Sequence, residues 1–311
     1  MALLLDVRQP EWMTEETLRE QLKPLMPDVP IYCSIDDCPL DQIRMLAVVK
    51  LHPGVVERLP NLSLVQKLGA GVESIVHSPE LRSEIRIARL APDTPADEIA
   101  EYCLSYVLRG QRNMAQHEAD EAAGRWNPIP PKKNRETTVA VLGLGHIGGR
   151  TARLFAALGF KTLGWSRTQK SIPDVECHAG QDALNRVLAQ ADYVASILPS
   201  TPETTNLFDA ARLKAMKLTA TLINAGRGDL IVEADLISAL DSGELGTTVL
   251  DVFPQEPLPQ DHPFWSHDQI SVTPHVSGWH IDDGLVAVAD NYHRLLSGEP
   301  FLHEIDRARG Y

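Results

Sequence analysis

The residues of this chain best suited to chemistry fall in a few short segments of its second half. The first reads Val139-Ala140-Val141-Leu142-Gly143-Leu144-Gly145-His146-Ile147-Gly148-Gly149. Its spaced glycines have separate physical tasks. Gly143 permits a tight turn, Gly145 lets backbone approach a phosphate, and Gly148 lets a helix pack close on a strand. An apolar strand precedes them and a helical pattern, Arg150–Leu158, follows. That context favours a dinucleotide turn over a glycine-rich turn of some other α/β protein. The helix start would aim the His146, Ile147 and Gly148 N–H groups at a pyrophosphate.

The next segment, Trp165-Ser166-Arg167-Thr168, stands about 20 residues on, where NAD sites usually place an acid on the ribose 2′-hydroxyl. No acid stands there. A guanidinium fork and two hydroxyls suit a 2′-phosphate, which an aspartate would repel, so the expected cofactor is NADP(H). Three more segments follow predicted strands, where open α/β sheets bind ligands. They are Asn224-Ala225-Gly226-Arg227-Gly228, Asp251-Val252-Phe253-Pro254-Gln255-Glu256-Pro257 and Thr273-Pro274-His275. Each is ordinary alone. An arginine, a glutamate and a histidine occurring together downstream of the glycine turn are not. The side chains of His146, His262, His267 and His280 lack such a context and read as surface or packing residues.

These residues need a scaffold, and the apolar pattern supplies one. Leu3–Val7, Ile43–Val49 and Leu64–Leu68 read as buried strands, with helices at Thr14–Leu25 (Thr14 as N-cap) and around Val55–Leu59. A long helical pattern runs from Ala96 to about Ala123, followed by a proline-rich connection, Gly124–Arg135. Thr138–Leu142, Lys161–Trp165, Tyr193–Leu198, Ala220–Asn224, Thr247–Asp251 and Ile270–Thr273 read as six strands of a doubly wound sheet. The tail helix, Gly284–Leu296, has no sheet of its own and is expected to pack back on the first domain.

The chain has 311 residues, more than one core usually serves, so two domains are expected. A net charge of -13 argues against nucleic-acid binding through a basic surface. Cys33, Cys38, Cys103 and Cys177 form no disulfide framework and no zinc set, so free thiols and a cytoplasmic location are expected. The start carries Asp6 and no basic leader, and no segment reaches membrane-span length. No metal site is expected.

In this order the motifs resemble the D-isomer-specific 2-hydroxyacid dehydrogenases, and among them the glyoxylate/hydroxypyruvate reductase A group. The resemblance rests on Leu68-Gly-Ala-Gly-Val72, the Gly143–Gly149 turn, Trp165–Thr168, Leu198–Thr204, Asn224–Leu230, the Glu256 segment, Thr273–His275 and a terminal Asp306-Arg-Ala-Arg-Gly-Tyr311. It implies two Rossmann-like α/β domains. A doubly wound parallel-sheet NADP domain (98–285) would be inserted in a smaller flavodoxin-like substrate domain (1–97 and 286–311), with a cleft that closes on a small 2-oxo acid.

The resemblance also implies roles. His275 would protonate the substrate carbonyl oxygen and touch both cofactor and substrate; Glu256 would bond the imidazole and fix its tautomer. Arg227 would clamp the carboxylate, with the Ala70, Gly71 and Val72 N–H groups on its other side. Leu198, Pro199, Ser200 and Ala225 match the lining of the family's cofactor cleft, and Asp251 matches a residue near the nicotinamide carboxamide. A homodimer is implied, with Gly124–Pro131 as a candidate arm.

Two departures concern the substrate. The group usually carries tryptophan and His-Pro-Pro where this chain reads Val49-Lys50-Leu51-His52-Pro53, and small residues where it has Trp279. Lys50 or His52 would then offer polar contacts, and a bulkier 2-oxo acid stays open. A dehydrogenase-like nucleotide-sensing regulator is the rival reading. A formate-type dehydrogenase fits poorly, because that family's extra asparagine motif is missing.

Overall fold

Short apolar runs near the N-terminus pair as one parallel sheet in the computed structural model, which describes residues 1–76 and 78–307. In chain order the first elements are β1 (Ala2–Asp6), α1 (Glu15–Leu22), β2 (Ile31–Tyr32), β3 (Ile43–Val48), β4 (Leu64–Lys67), α2 (Glu73–Val76) and β5 (Arg86–Arg89). Next come α3 (Thr94–Gln111), α4 (Met114–Ala122), β6 (Thr138–Leu142), α5 (His146–Ala157), β7 (Lys161–Ser166), β8 (Glu176–Ala179) and α6 (Gln181–Gln190). The chain continues through β9 (Tyr193–Ser196), α7 (Ala210–Lys214), β10 (Thr221–Asn224), α8 (Glu233–Asp241), β11 (Thr247–Leu250), β12 (Ile270–Val272) and α9 (Leu285–Ser297).

Two compact units result, Met1–Thr94 with Trp279–Tyr311 and Pro95–Gly278. In the first, the strand order β2-β1-β3-β4-β5 is wholly parallel and flavodoxin-like. Alternate strand residues face opposite cores. Leu3, Leu5 and Met45 meet α1 and α9, while Leu4, Leu46 and Val65 meet Val55, Leu59 and Ile75. Thr14 caps α1 as expected, accepting the Thr17 N–H at 3.2 Å. The tail helix α9 buries Val288, Ala289 and Tyr292 in this unit's core.

The second unit carries seven parallel strands in the order β12-β11-β10-β9-β6-β7-β8. The order reverses between β6 and β9, the switch point where such sheets bind ligands. Ala140, Leu142 and Leu163 pack on one face with Leu184 and Phe208, and Val139, Val141 and Ile223 on the other with Phe155 and Val107.

Several expectations need correction. Short strands β2, β5 and β8 were not anticipated. The Val55–Leu59 stretch is a run of turns with three-residue hydrogen bonds, Val55 N to His52 O and Leu59 N to Val56 O, led by Gly54 at φ 77. The Ala96–Ala123 pattern is two helices, broken where Asn113 takes a left-handed φ of 54. The units divide at 94/95 and 278/279, a few residues before the boundaries expected. The second crossing comes early because the Trp279 carbonyl accepts Trp12 Nε1 at 2.8 Å and Ile281 joins the first unit's core. The end of the terminal motif, 308–311, lies outside the described residues. Among the described residues no helix is long and apolar enough to cross a membrane.

Candidate active site

In the second unit the sheet delivers its functional residues at the carboxyl ends of β6, β7, β9, β10, β11 and β12. The glycine turn is dictated by space. Gly143 sits at φ 97, and a Cβ there would lie 2.6 Å from the Ile197 carbonyl oxygen. A Cβ on Gly148 would meet the Gly143 carbonyl oxygen at 1.7 Å. Around Gly145 nothing stands within 4 Å of such a Cβ, so a ligand can come against bare backbone there. Helix α5 starts at His146, and its first-turn N–H groups, Ile147 and Gly148 included, face the end of the turn. This open backbone at a helix start fits a pyrophosphate.

After β7, Ser166 is buried and its hydroxyl donates to the Thr168 carbonyl at 2.8 Å, so it shapes the loop. Arg167 and Thr168 are exposed. After β9, Leu198 is buried and Pro199 exposed, and the Ser200 hydroxyl donates to Asp229. The backbone of Leu198 comes so near Gly226 that a Cβ there would lie 2.6 Å from its oxygen. Buried Ala225 is tied to β9 through its N–H to the Ser196 carbonyl at 3.1 Å.

The Arg227 loop is held by a residue whose role was not anticipated. Asn224 donates to the Arg227 carbonyl at 2.8 Å and accepts the Gly226 N–H at 3.2 Å. Arg227 Nη1 reaches the Gly226 carbonyl at 2.6 Å. Glu256 accepts the Phe253 N–H at 2.9 Å on one oxygen, and its other oxygen meets His275 Nδ1 at 2.8 Å. Burial pushes the Glu256 carboxyl up, but the bond and charge of His275, the Phe253 N–H and Arg227 outweigh it and hold it below its ordinary value.

His275 stands at φ 55, the left-handed region that a non-glycine side chain pays to enter. Its N–H donates to the Asp251 carbonyl at 2.9 Å. The Asp251 carboxylate, fully buried, accepts the Thr273 hydroxyl at 2.6 Å and the Val276 and Ser277 N–H groups at 2.9 Å each. A cavity of about 1130 Å³ flanks this turn, lined by Tyr102, Tyr106, Arg109, Thr273 and Val276, and does not reach the glycine turn.

In the first unit, Ala70, Gly71 and Val72 form the loop from β4 to α2, where Arg89 Nη1 donates to the Ala70 carbonyl at 2.8 Å. His52 is tied to Asp6 at 3.0 Å, and Lys50 is exposed. Among the described residues no group of His, Cys, Asp and Glu could hold a metal ion.

Residues 104–277 match the model of the D-isomer specific 2-hydroxyacid dehydrogenase NAD binding domain. The chain belongs to this family. That match covers the glycine turn, Arg227, Glu256 and His275 and lies within the second unit. Glyoxylate/hydroxypyruvate reductase A of Klebsiella pneumoniae (strain 342) is 36% identical over 268 residues, covering 84% of this chain and 86% of that protein. A D-isomer specific 2-hydroxyacid dehydrogenase from Xanthobacter autotrophicus Py2, solved with NADPH and MES, matches with a TM-score of 0.93 at 35% identity, over 100% of this chain and 99% of that one. The NADPH-dependent glyoxylate/hydroxypyruvate reductase of Sinorhizobium meliloti, solved with NADP and sulfate, gives a TM-score of 0.91 at 30% identity, over 100% and 99% of the two chains. This 2-hydroxyacid dehydrogenase is therefore an oxidoreductase with Rossmann-like architecture.

Proposed function

We propose that this dehydrogenase reduces a small 2-oxo acid, glyoxylate, hydroxypyruvate or a near relative, to the 2-hydroxy acid with NADPH. The observation that carries the reading is the His275–Glu256 pair, a half-exposed imidazole bonded at Nδ1 to a carboxylate. When bound, NADPH supplies the hydride that reaches the carbonyl carbon. His275, as the imidazolium, delivers its Nε2 proton to the carbonyl oxygen, and Glu256, bonded at Nδ1, orients the ring with Nε2 outward. Arg227 holds the substrate carboxylate and polarises the carbonyl. We assign the Ala70, Gly71 and Val72 N–H groups to substrate binding.

The cofactor assignment rests on the chain's own residues and on the NADPH and NADP of the two related structures. Gly143, Gly145, His146, Ile147 and Gly148 take the pyrophosphate. Arg167 and the Thr168 hydroxyl take the 2′-phosphate, while Ser166 shapes their loop. Leu198, Pro199, Ser200 and Ala225 line the nucleotide. Asp251 is buried under the His275 turn, so we assign it to shaping that turn rather than to the nicotinamide carboxamide. A homodimer is supported by Trp126, 96% exposed in the Gly124–Pro131 connection. Four free cysteines fit the reducing cytoplasm.

The test is oxidation of NADPH and of NADH against glyoxylate, hydroxypyruvate, pyruvate and phenylpyruvate, repeated with Arg167→Ala. The expected result is turnover with NADPH preferred, and a preference cut about tenfold or more in the variant. Tight NADPH binding without turnover of any substrate would sink the catalytic reading, and an unchanged preference the role of Arg167.

A further inference from the structure

The His275 turn is held from below by hydrogen bonds whose direction can be followed proton by proton. The Asp251 carboxylate accepts from Thr273 Oγ1 at 2.6 Å and from the Val276 and Ser277 N–H groups at 2.9 Å each. The single Thr273 proton is thus spent on Asp251. Thr273 Oγ1 also lies 2.6 Å from the Tyr102 hydroxyl, so in that contact Tyr102 must be the donor and Thr273 the acceptor. Burial, aided by the Asp251 charge and only partly opposed by the bond to Thr273, pushes the Tyr102 phenol well above its ordinary range. It therefore keeps its proton at working pH. The Tyr102 ring is braced by Tyr106, four residues along α3, at a centroid distance of 5.0 Å.

This chain of bonds begins on α3 and ends on the backbone that carries His275 at φ 55. A left-handed histidine persists only where its surroundings over-determine it. Here Asp251 does so twice, through its main-chain carbonyl, which takes the His275 N–H, and through its carboxylate, which takes the next two. Thr273 fixes the rotamer of that carboxylate, and Tyr102 fixes the hydroxyl of Thr273.

We infer that Tyr102 and Thr273 are positioning residues for His275, acting through Asp251 to hold the imidazole where it exchanges its proton. The inference rests on the proposed role of His275 as proton donor. Neither residue has a glycine or charge pattern to mark it, and Tyr102 lies 171 residues away from Thr273 in the chain.

The test compares Tyr102→Phe, Thr273→Val and Thr273→Ser with the parent protein, using glyoxylate and hydroxypyruvate as substrates. For each, kcat and KM, the NADPH Kd, the Tm, the molecular mass in solution and the imidazole signals of His275 are measured, the last assigned with His275→Asn. The expected result is a kcat loss of about tenfold in Thr273→Val and about threefold in Tyr102→Phe, with KM and NADPH Kd within about twofold. The His275 signals should move in both, and Thr273→Ser, which keeps the hydroxyl, should restore kcat and the signals. Parental kcat and unmoved His275 signals in both Tyr102→Phe and Thr273→Val would overturn the inference. So would losses that Thr273→Ser fails to restore, or that follow Tm or NADPH Kd alone. A parent protein without turnover reports against the functional reading instead, and the His275 signals of the variants then decide the positioning separately.

Discussion

In the loop after β12, the His275 ring meets Glu256 at 2.8 Å and stays 49% exposed; in the loop after β3, the His52 ring meets Asp6 at 3.0 Å and is only 14% exposed. Both contacts use Nδ1, and both carboxylates have a second partner. For Glu256 it is the Phe253 N–H, and for Asp6 it is Arg8 Nε at 2.7 Å. The chemical pair is thus nearly the same in the two units, and what differs is its setting. Around His275 the backbone is left-handed and held from below by Asp251, and the side chain is half exposed. Around His52 the ring is covered and its carboxylate is already matched by a guanidinium. Under the proposed function, a histidine–carboxylate pair serves proton transfer where its side chain is accessible and its backbone is held against strain. Without those features it is a polar fastening between two strand ends.

The largest expected effect breaks the first pair. His275→Asn keeps a residue that tolerates left-handed backbone, so the turn should survive. Turnover should fall by about a hundredfold or more, the scale of a lost general acid. The NADPH Kd should stay within about threefold, because the glycine turn and Arg167 are untouched. Steady-state kinetics beside fluorescence titration of NADPH check this. Activity near the parental value would leave the contrast between the two histidines without content.

A middle-sized effect comes from the carboxylate. Burial raises the Glu256 carboxyl, but His275, the Phe253 N–H and Arg227 more than offset this and hold it below its ordinary 4.5. A carboxyl whose folded value lies below its unfolded one stabilises the fold above the unfolded value and loses that contribution as pH falls through the folded one. The Glu256–His275 pair should therefore stay intact through the neutral range and come apart only in acid below the ordinary carboxylate range. Glu256→Gln keeps the shape and removes the charge, and kcat should fall by about tenfold. If an acid limb beginning near neutral pH vanished in Glu256→Gln, the carboxyl would be titrating in the working range, against this account.

The elements that place these residues were legible where physics narrows the choice. Gly143 and Gly148 are dictated by backbone oxygens within 2.6 Å and 1.7 Å of any added Cβ, so their spacing announces the turn. The central strands announce themselves too, because both faces are buried and the runs are continuously apolar. Edge and near-edge strands carry less signal: Ile31–Tyr32 is two residues long, and Arg86–Arg89 has arginine at both ends. The break at Asn113 was hidden because asparagine is unremarkable in a helical pattern until its φ is known. Arg227, Glu256 and His275 could be named from their places after strands. The contacts of Tyr102, Thr273 and Asn224, and the covering of His52, depend on which loops meet, and local spacing does not record that.

The smallest expected effect falls on the second pair and sharpens the comparison most. His52→Ala removes a largely covered ring from Asp6, which keeps Arg8 as a partner. The loss should be mainly one of stability, about 1–2 kcal/mol, the scale of a hydrogen bond to a charged group plus the packing of a small ring. With glyoxylate, kcat should change by less than about threefold, since no proton passes through this pair. Urea melts and parallel kinetics with glyoxylate and hydroxypyruvate separate the possibilities. A stability loss with unchanged kinetics confirms the fastening. A KM increase confined to hydroxypyruvate would instead make His52 part of the wall that meets the substrate side chain. A fall in kcat as deep as that of His275→Asn would mean that exposure and backbone strain are the wrong criteria for telling the two pairs apart.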